Sequence, residues 1–297
     1  MIKLGIAPIN WSNDDLPTLG GHISFEQCIR EMHEAGYQGC EVGNKFPRDP
    51  LVLQHALGPY RLAIASAWYS LFFTEEGREE ETIQGFKTHL QFLKDMGATV
   101  IVVCECGHSI QGHAVSVLNH KPVFSPNQWQ SLIMGLKQLA QLATSQQMTL
   151  VYHYHMGTGV QTQKEIDKLL AETSSDELSL VLDTGHAVYA GTDPLVIIQN
   201  HAKRIKHVHL KDIRAPILEM VKNDNLSFLD SVRHGVFTVP GDGMIDFKPI
   251  IEALQQHSYD GWYIVEAEQD PDKAHPLQYA ILARRYLENL SLKTCRP

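Results

Sequence analysis

The chain contains no run of the ~18 apolar residues that a membrane-spanning helix needs. Its apolar start, Ile2, Leu4 and Ile6, is interrupted by Pro8, Asn10 and Asp14 too early to read as a secretion signal. Positive charge is in deficit: 25 Lys and Arg stand against 34 Asp and Glu, for a formal net charge of −9. That excludes a protein that tracks a nucleic-acid backbone, which needs a basic groove to displace counterions. Cysteine is scarce, five in 297 residues (Cys28, Cys40, Cys104, Cys106 and Cys295). An odd count with no second close pair excludes a disulfide framework and a cysteine-held structural zinc, so reduced thiols in a cytoplasmic protein are expected. No glycine-rich phosphate loop follows an early strand, which removes the open dinucleotide-binding sheet.

What is present is a regular alternation of short β-branched runs and longer helical patterns. Strands are predicted at Lys3 to Ala7, up to Glu41 and Val42, and at 62–67, 99–104, 150–154, 178–182, 205–210 and 262–265. The run 99–104 (Thr-Val-Ile-Val-Val-Cys) is continuous enough to be buried on both faces. Between the strands, apolar residues recur at helical spacing behind start signals. Ser24 with Gln27 is a predicted capping box, Ser125-Pro126 opens a second helix, and Asp246 caps a third; Gly36 and Gly97 stop helices. Eight such units without a compositional break predict α/β architecture, a single-domain (β/α)8 TIM barrel over 1–297, a size at which about 250 residues close one barrel. The stretch 212–243 reads as an irregular, lid-like segment.

In a barrel the chemistry sits at the C-terminal ends of the strands. Those ends carry Asn10 and Trp11, Glu41, Trp68, Glu105, His153 and His155, Asp183 and His186, His207 and His209, then Glu266 and Glu268. Residues two apart on a strand share a face, so three of these pairs each aim two polar groups the same way. Packing does not explain apolar strands that each end in an acid or an imidazole. A divalent transition metal does, because it takes mixed imidazole and carboxylate donors and leaves positions open to substrate. The predicted ligands are Asp183, His209, Glu266 and one strand-five histidine, with Asp183 open to a second reading as a helix cap. His207 is expected as a hydrogen-bonding group and Glu268 behind the ligands. His33, His89 and His234 are expected to face solvent, and Cys104 the core.

The segments Asp183-Thr184-Gly185-His186, His207 to Asp212, Gly261 to Glu266 and Pro240-Gly241-Asp242-Gly243 resemble signatures of the xylose-isomerase-like TIM barrels. Within them Gly5 to Asp15, Glu41 to Pro47 and His153 to Thr158 resemble the inosose dehydratase family, and the likeness runs over nearly the whole chain. The resemblance implies a metal-dependent lyase that removes water from a small cyclitol, 2-keto-myo-inositol (scyllo-inosose), to a trihydroxycyclohexane-dione in inositol catabolism. It implies manganese or cobalt, and admits glutathione as a further cofactor and a homo-oligomeric state. Residue by residue, Asp183, His209 and Glu266 match the metal ligands. The strand-five position departs from the epimerase pattern, with His153 where epimerases place a glutamate. His153 is favoured over His155 as the fourth ligand.

Elimination beside a ketone removes an α-proton and expels a β-hydroxyl. Glu266 or a nearby histidine is the expected base, and His186 or His155 the expected acid, on the ground that a near-neutral pKa suits a donor at pH 7. Lys211 is expected either to hold the substrate or to form a surface ion pair. Asn10, Trp11, Glu41, Lys45, Trp68 and Glu105 are expected to contact the ring, polar groups reading hydroxyls and indoles covering C–H faces. The alternative is a metal-dependent ketose isomerase or epimerase, against which the histidine on strand five argues.

Overall fold

The computed structural model describes residues 2–294; Cys295 lies outside the described residues. Ten strands occur in chain order: β1 (Lys3–Ile6), β2 (Gly39–Val42), β3 (Ala63–Leu71), β4 (Val100–Glu105), β5 (Thr149–Tyr152), β6 (Ser179–Asp183), β7 (Ile205–Leu210), β8 (Asp212–Ile213), β9 (Phe237–Thr238) and β10 (Trp262–Val265). β1 to β7 and then β10 pair in parallel and close into an eight-stranded barrel, while β8 and β9 form a separate antiparallel ribbon. The expected barrel is therefore present. β3 runs to Leu71, so Trp68 stands within the strand and not at its end.

Strand periodicity sorts the inward faces into layers. Val100 and Val102 of β4, Val151 of β5 and Val181 of β6 form one buried cluster; Ala7, Ala65 and Ile264 form another. The residues two positions further along three of these strands are His153, Asp183 and Glu266, so an apolar floor carries a polar layer directly above it. The larger core lies outside the sheet, where helices such as Phe25–Glu34 and Pro126–Ser145 bury Met32, Leu132, Leu136 and Leu139 against the strands.

The helix ends follow the sequence signals with one correction. Ser125 and Gln128 form a complete capping box. At Ser24 only half of the predicted box forms: its Oγ accepts from the Gln27 backbone at 3.2 Å, but the Gln27 amide turns forward to Glu31 at 2.9 Å. Glu31 Oε1 takes that amide, and its Oε2 accepts the Trp11 indole N–H at 2.7 Å. Gly36 ends its helix at φ +86°, a conformation that side-chain-bearing residues rarely adopt.

The 212–243 stretch is not irregular. It holds the β8–β9 ribbon and two helices, Ala215–Asp224 and Phe228–Arg233, over a buried cluster that includes Ile213, Val221, Phe228, Val232 and Phe237. The six-residue helix Phe228–Arg233 carries too few turns for hydrophobic periodicity to show, and the burial of both helices depends on partners elsewhere in the chain, Leu16, Met156 and Tyr189. His33 and His234 are exposed as expected, whereas His89 is half-buried, its Nε2 3.4 Å from the Ala67 carbonyl and its ring 5.3 Å from that of Tyr69.

Candidate metal centre and active site

The polar layer above the barrel floor converges on one point. His153 Nε2 lies 3.4 Å and His209 Nδ1 3.6 Å from Asp183 Oδ2, and His209 Nδ1 is 3.2 Å from Glu266 Oε2. β6 and β7 set this directly, since Asp183 and His209 are register partners. Asp183 caps a helix with one oxygen and leaves the other free for the cluster. Its Oδ1 accepts from the His186 backbone at 2.7 Å and caps the helix Thr184–Tyr189, while Oδ2 faces the cluster.

Asp183 Oδ2 and His209 Nδ1 are both buried without a hydrogen-bond partner. Leaving such atoms unmet costs several kcal/mol each in a protein interior, unless a cation collects them. Two imidazoles and two carboxylates are a donor set for a first-row divalent ion: donor atoms of His153, Asp183 and His209 lie within 4.8 Å of one another, and Glu266 adjoins them through His209 Nδ1 while sharing a second such group with Asp183 and His186. His153 belongs to the first group. His155 is grouped instead with His186 and Glu268, its ring centroid 4.0 Å from that of His186.

A second tier of residues holds the first. Glu41 Oε1 takes the Nε2 side of both His207 (2.8 Å) and His209 (3.1 Å), which turns Nδ1 of His209 toward the cluster. Burial opposes ionisation of Glu41, but the His209 charge and hydrogen bonds from both rings overcome it and keep its carboxyl below the ordinary range. Lys211 is fully buried, which rules out the surface ion pair. Its Nζ lies 2.7 Å from Glu266 Oε1, 2.8 Å from Glu268 Oε1, 3.0 Å from His186 Nε2 and 3.7 Å from Asp183 Oδ2. Burial penalises that charge, yet Glu266, Glu268 and Asp183 outweigh the penalty and raise its pKa. Gly185 makes room for it, because a Cβ there would fall 2.6 Å from Lys211 Cγ.

The cluster opens into a cavity of about 330 Å³, walled by Glu41, Trp68, His153, His155, His209, Glu266 and Glu268, with Asp14, Asp15, Arg48 and Gln111 toward the mouth. That volume suits a small polar molecule. His186 and Lys211 are not among its walls. Burial first, then the His186 ring, pushes the His155 pKa down; burial and the Lys211 charge do the same to His186. Both rings rest neutral, a correction to the near-neutral acid expected of them. His155 Nδ1 sits 3.0 Å from the Met156 carbonyl, so that nitrogen carries the proton and Nε2 keeps its lone pair.

Four residues expected to touch substrate are placed elsewhere. Asn10 Oδ1 accepts from the Ala267 backbone at 3.0 Å. Trp11 is buried against Glu31. Lys45 Nζ caps the carbonyls of Gly20 and Ile23 at 2.9 and 2.6 Å. Glu105 is fully buried, its carboxylate accepting from the Phe73 and Gly107 backbones and the Thr74 hydroxyl, each at 2.9 Å. Each is a local polar anchor, which a strand-end position cannot distinguish from a ligand contact. Trp68 does line the cavity, 39% exposed, with its indole edge-on to His153 and His155. Asp15 and Gln111, which were not read as site residues, lie in loops with no periodic pattern to flag them.

A protein-family model described as xylose isomerase-like TIM barrel matches residues 29–290. Inosose dehydratase of Geobacillus thermodenitrificans is 55% identical over 287 residues, 96% of each chain. The chain belongs to the inosose dehydratase family. Inosose dehydratases of Lacticaseibacillus casei and Clostridium tetani are 54% and 51% identical, each covering 97% of this chain and 96% of the relative. Among solved structures, the probable 3-DHS dehydratase AsbF of Bacillus anthracis superposes with a TM-score of 0.73 at 18% identity, covering 97% of this chain and 99% of that one. A zinc-bound IOLI protein gives 0.72 at 17% identity, covering 98% and 99%. These two likenesses show the fold alone.

Proposed function

We infer that this inosose dehydratase family member removes water from 2-keto-myo-inositol to give a trihydroxycyclohexane-dione. The observation that carries the reading is the convergence of His153, Asp183, His209 and Glu266, all but Asp183 lining the cavity, beside a neutral His155 that lines it too. Those four residues would hold a divalent ion, which would supply Lewis-acid polarisation of a ketone. The donor set suits manganese or cobalt. Glutathione is a second candidate cofactor, whose effect on turnover the assay below reads.

The chain's own residues supply the proton chemistry. Glu266 was the expected base, but Oε1 is held by Lys211 and Oε2 faces His209, so both oxygens are engaged. His155 is better placed, because its unprotonated Nε2 accepts the α-proton as the C–H bond breaks. The imidazolium it becomes then gives that proton to the departing β-hydroxyl. The C–O bond breaks, water leaves, and the resulting enol reverts to the second ketone. Lys211 and His186 act from behind the wall by fixing Glu266 and Glu268. The free thiols Cys28, Cys40, Cys104 and Cys106 support a reducing, cytoplasmic setting.

Mass spectrometry of the product tests the reading. Protein loaded with manganese or cobalt should lower the mass of 2-keto-myo-inositol by one water, and rigorously demetallated protein should not. A product of unchanged mass and altered stereochemistry overturns it in favour of an epimerase.

A further inference from the structure

Two hydrogen-bonded residues from loops far apart in the chain, Asp15 and Gln111, line the cavity on its exposed side. Asn13 is 2% exposed, and its Oδ1 accepts from the backbones of Asp15 (2.8 Å) and Leu16 (2.9 Å). Leu16 is buried in the apolar cluster beneath the 212–243 segment, which anchors this turn from below. The turn sets the Asp15 carboxylate at the cavity mouth, where Oδ2 accepts from Gln111 Nε2 at 2.6 Å, across 96 positions of sequence. Gln111 is itself held in place, since the preceding Ile110 donates its N–H to the Gly157 carbonyl at 2.9 Å. Both side chains line the same cavity as Trp68 and Glu268.

The surroundings of this carboxyl disfavour its charge. It is exposed, but onto the cavity, and protein surrounds it closely enough that burial, with the charges of Glu268 and Asp14, pushes its pKa up to about 6. The Gln111 hydrogen bond and the Lys211 charge work in the other direction. A group disfavoured by its surroundings, and fixed by a buried asparagine and a partner loop, is suited to donors that arrive from outside. A polyhydroxylated ring held by its ketone at the metal cluster presents such donors toward the mouth.

We propose that Asp15, oriented by Gln111, binds ring hydroxyls on the side of the substrate remote from the metal cluster and so selects for a polyol. This rests on the cyclitol reading above only for the identity of the ring. The test is equilibrium binding, which does not depend on turnover. Metal-loaded protein is titrated calorimetrically with myo-inositol, which has no ketone to react, and, in a His155→Ala background that blocks the proton transfer, with 2-keto-myo-inositol. Asp15→Asn and Asp15→Ala should raise Kd for both roughly 10- to 100-fold, the size of one hydrogen bond to a charged group. Metal content and melting temperature should not move. Gln111→Ala should weaken binding less, and should add little to Asp15→Ala because the two act as one unit. A monodeoxy analogue lacking the hydroxyl concerned should bind wild type as weakly as the parent binds Asp15→Ala. Unchanged Kd in both Asp15 variants overturns the proposal, even if the enzyme dehydrates its substrate. Tight Asp15-dependent binding without water loss sustains it while sinking the dehydratase reading, and a wild type that binds neither polyol sinks both.

Discussion

Glu105 offers the sharpest contrast between a strand-end position and what occupies it. In the structure its carboxylate is a bracket: Oε2 accepts from the Phe73 backbone, and Oε1 from the Thr74 hydroxyl and the Gly107 backbone. The bracket ties the end of β4 to the loop after β3. In Glu105→Gln the best amide placement keeps the oxygen on Thr74 and Gly107 and turns the NH2 toward the Phe73 N–H. One buried donor is then left facing another, at about 1–3 kcal/mol, and two charge-assisted bonds become neutral ones, at about 1 kcal/mol each. The expected loss is about 3–5 kcal/mol. Unfolding entropy near 2 cal/mol/K per residue converts this to a fall of roughly 5–8 °C in melting temperature for a chain of this length. Thermal unfolding followed by circular dichroism reads it directly, with substrate Kd measured well below the transition. Burial raises the Glu105 pKa, but all of its partners are donors, so the folded protein holds it as the anion. A variant that melts like wild type but binds substrate 10-fold more weakly would refute this reasoning and return Glu105 to the substrate site.

Three further outcomes follow from the same geometry. Asp183→Asn keeps an acceptor for the helix cap but removes the charge at Oδ2. It should leave the circular dichroism spectrum native and weaken metal binding at least 100-fold, and native affinity by metal titration would remove Asp183 from the ligand set. His155→Ala should lower kcat at least 100-fold with metal content intact, because it removes the group that moves the proton; a loss confined to KM would show that His155 only binds. His89 is neutral in the fold, its pKa lowered to about 4 by burial against an ordinary 6.5. The stability it contributes is therefore complete above pH 6.5 and is lost as pH falls through 4, about 2 kcal/mol after allowance for its partial exposure. His89→Gln should lose less stability than wild type between pH 7 and 4.5 in urea titrations, and parallel curves would disprove the assignment.

The sequence by itself determined the barrel and the face on which the proposed ligands stand. The strand runs are short, the helices between them carry strong caps, and a strand's period of two residues places His153, Asp183, His209 and Glu266 on the inward face whatever the loops do. Strand-end position did not separate a ligand from a bracket. Glu41 and Glu105 both end buried strands, and only the fold sets the first beside two imidazoles and the second against backbone donors. Lys211 was ambiguous for the same reason: a lysine after a strand is usually solvated, and three carboxylates from β6 and the end of β10 are what hold it inside. The lid-like stretch took its order from Leu16, Met156 and Tyr189, partners that no local pattern contains. Asp15 and Gln111 sit in loops and meet across 96 positions. Local periodicity encodes which face a residue takes, whereas which charges share a cavity is a property of chain closure, and only the tertiary structure decided it.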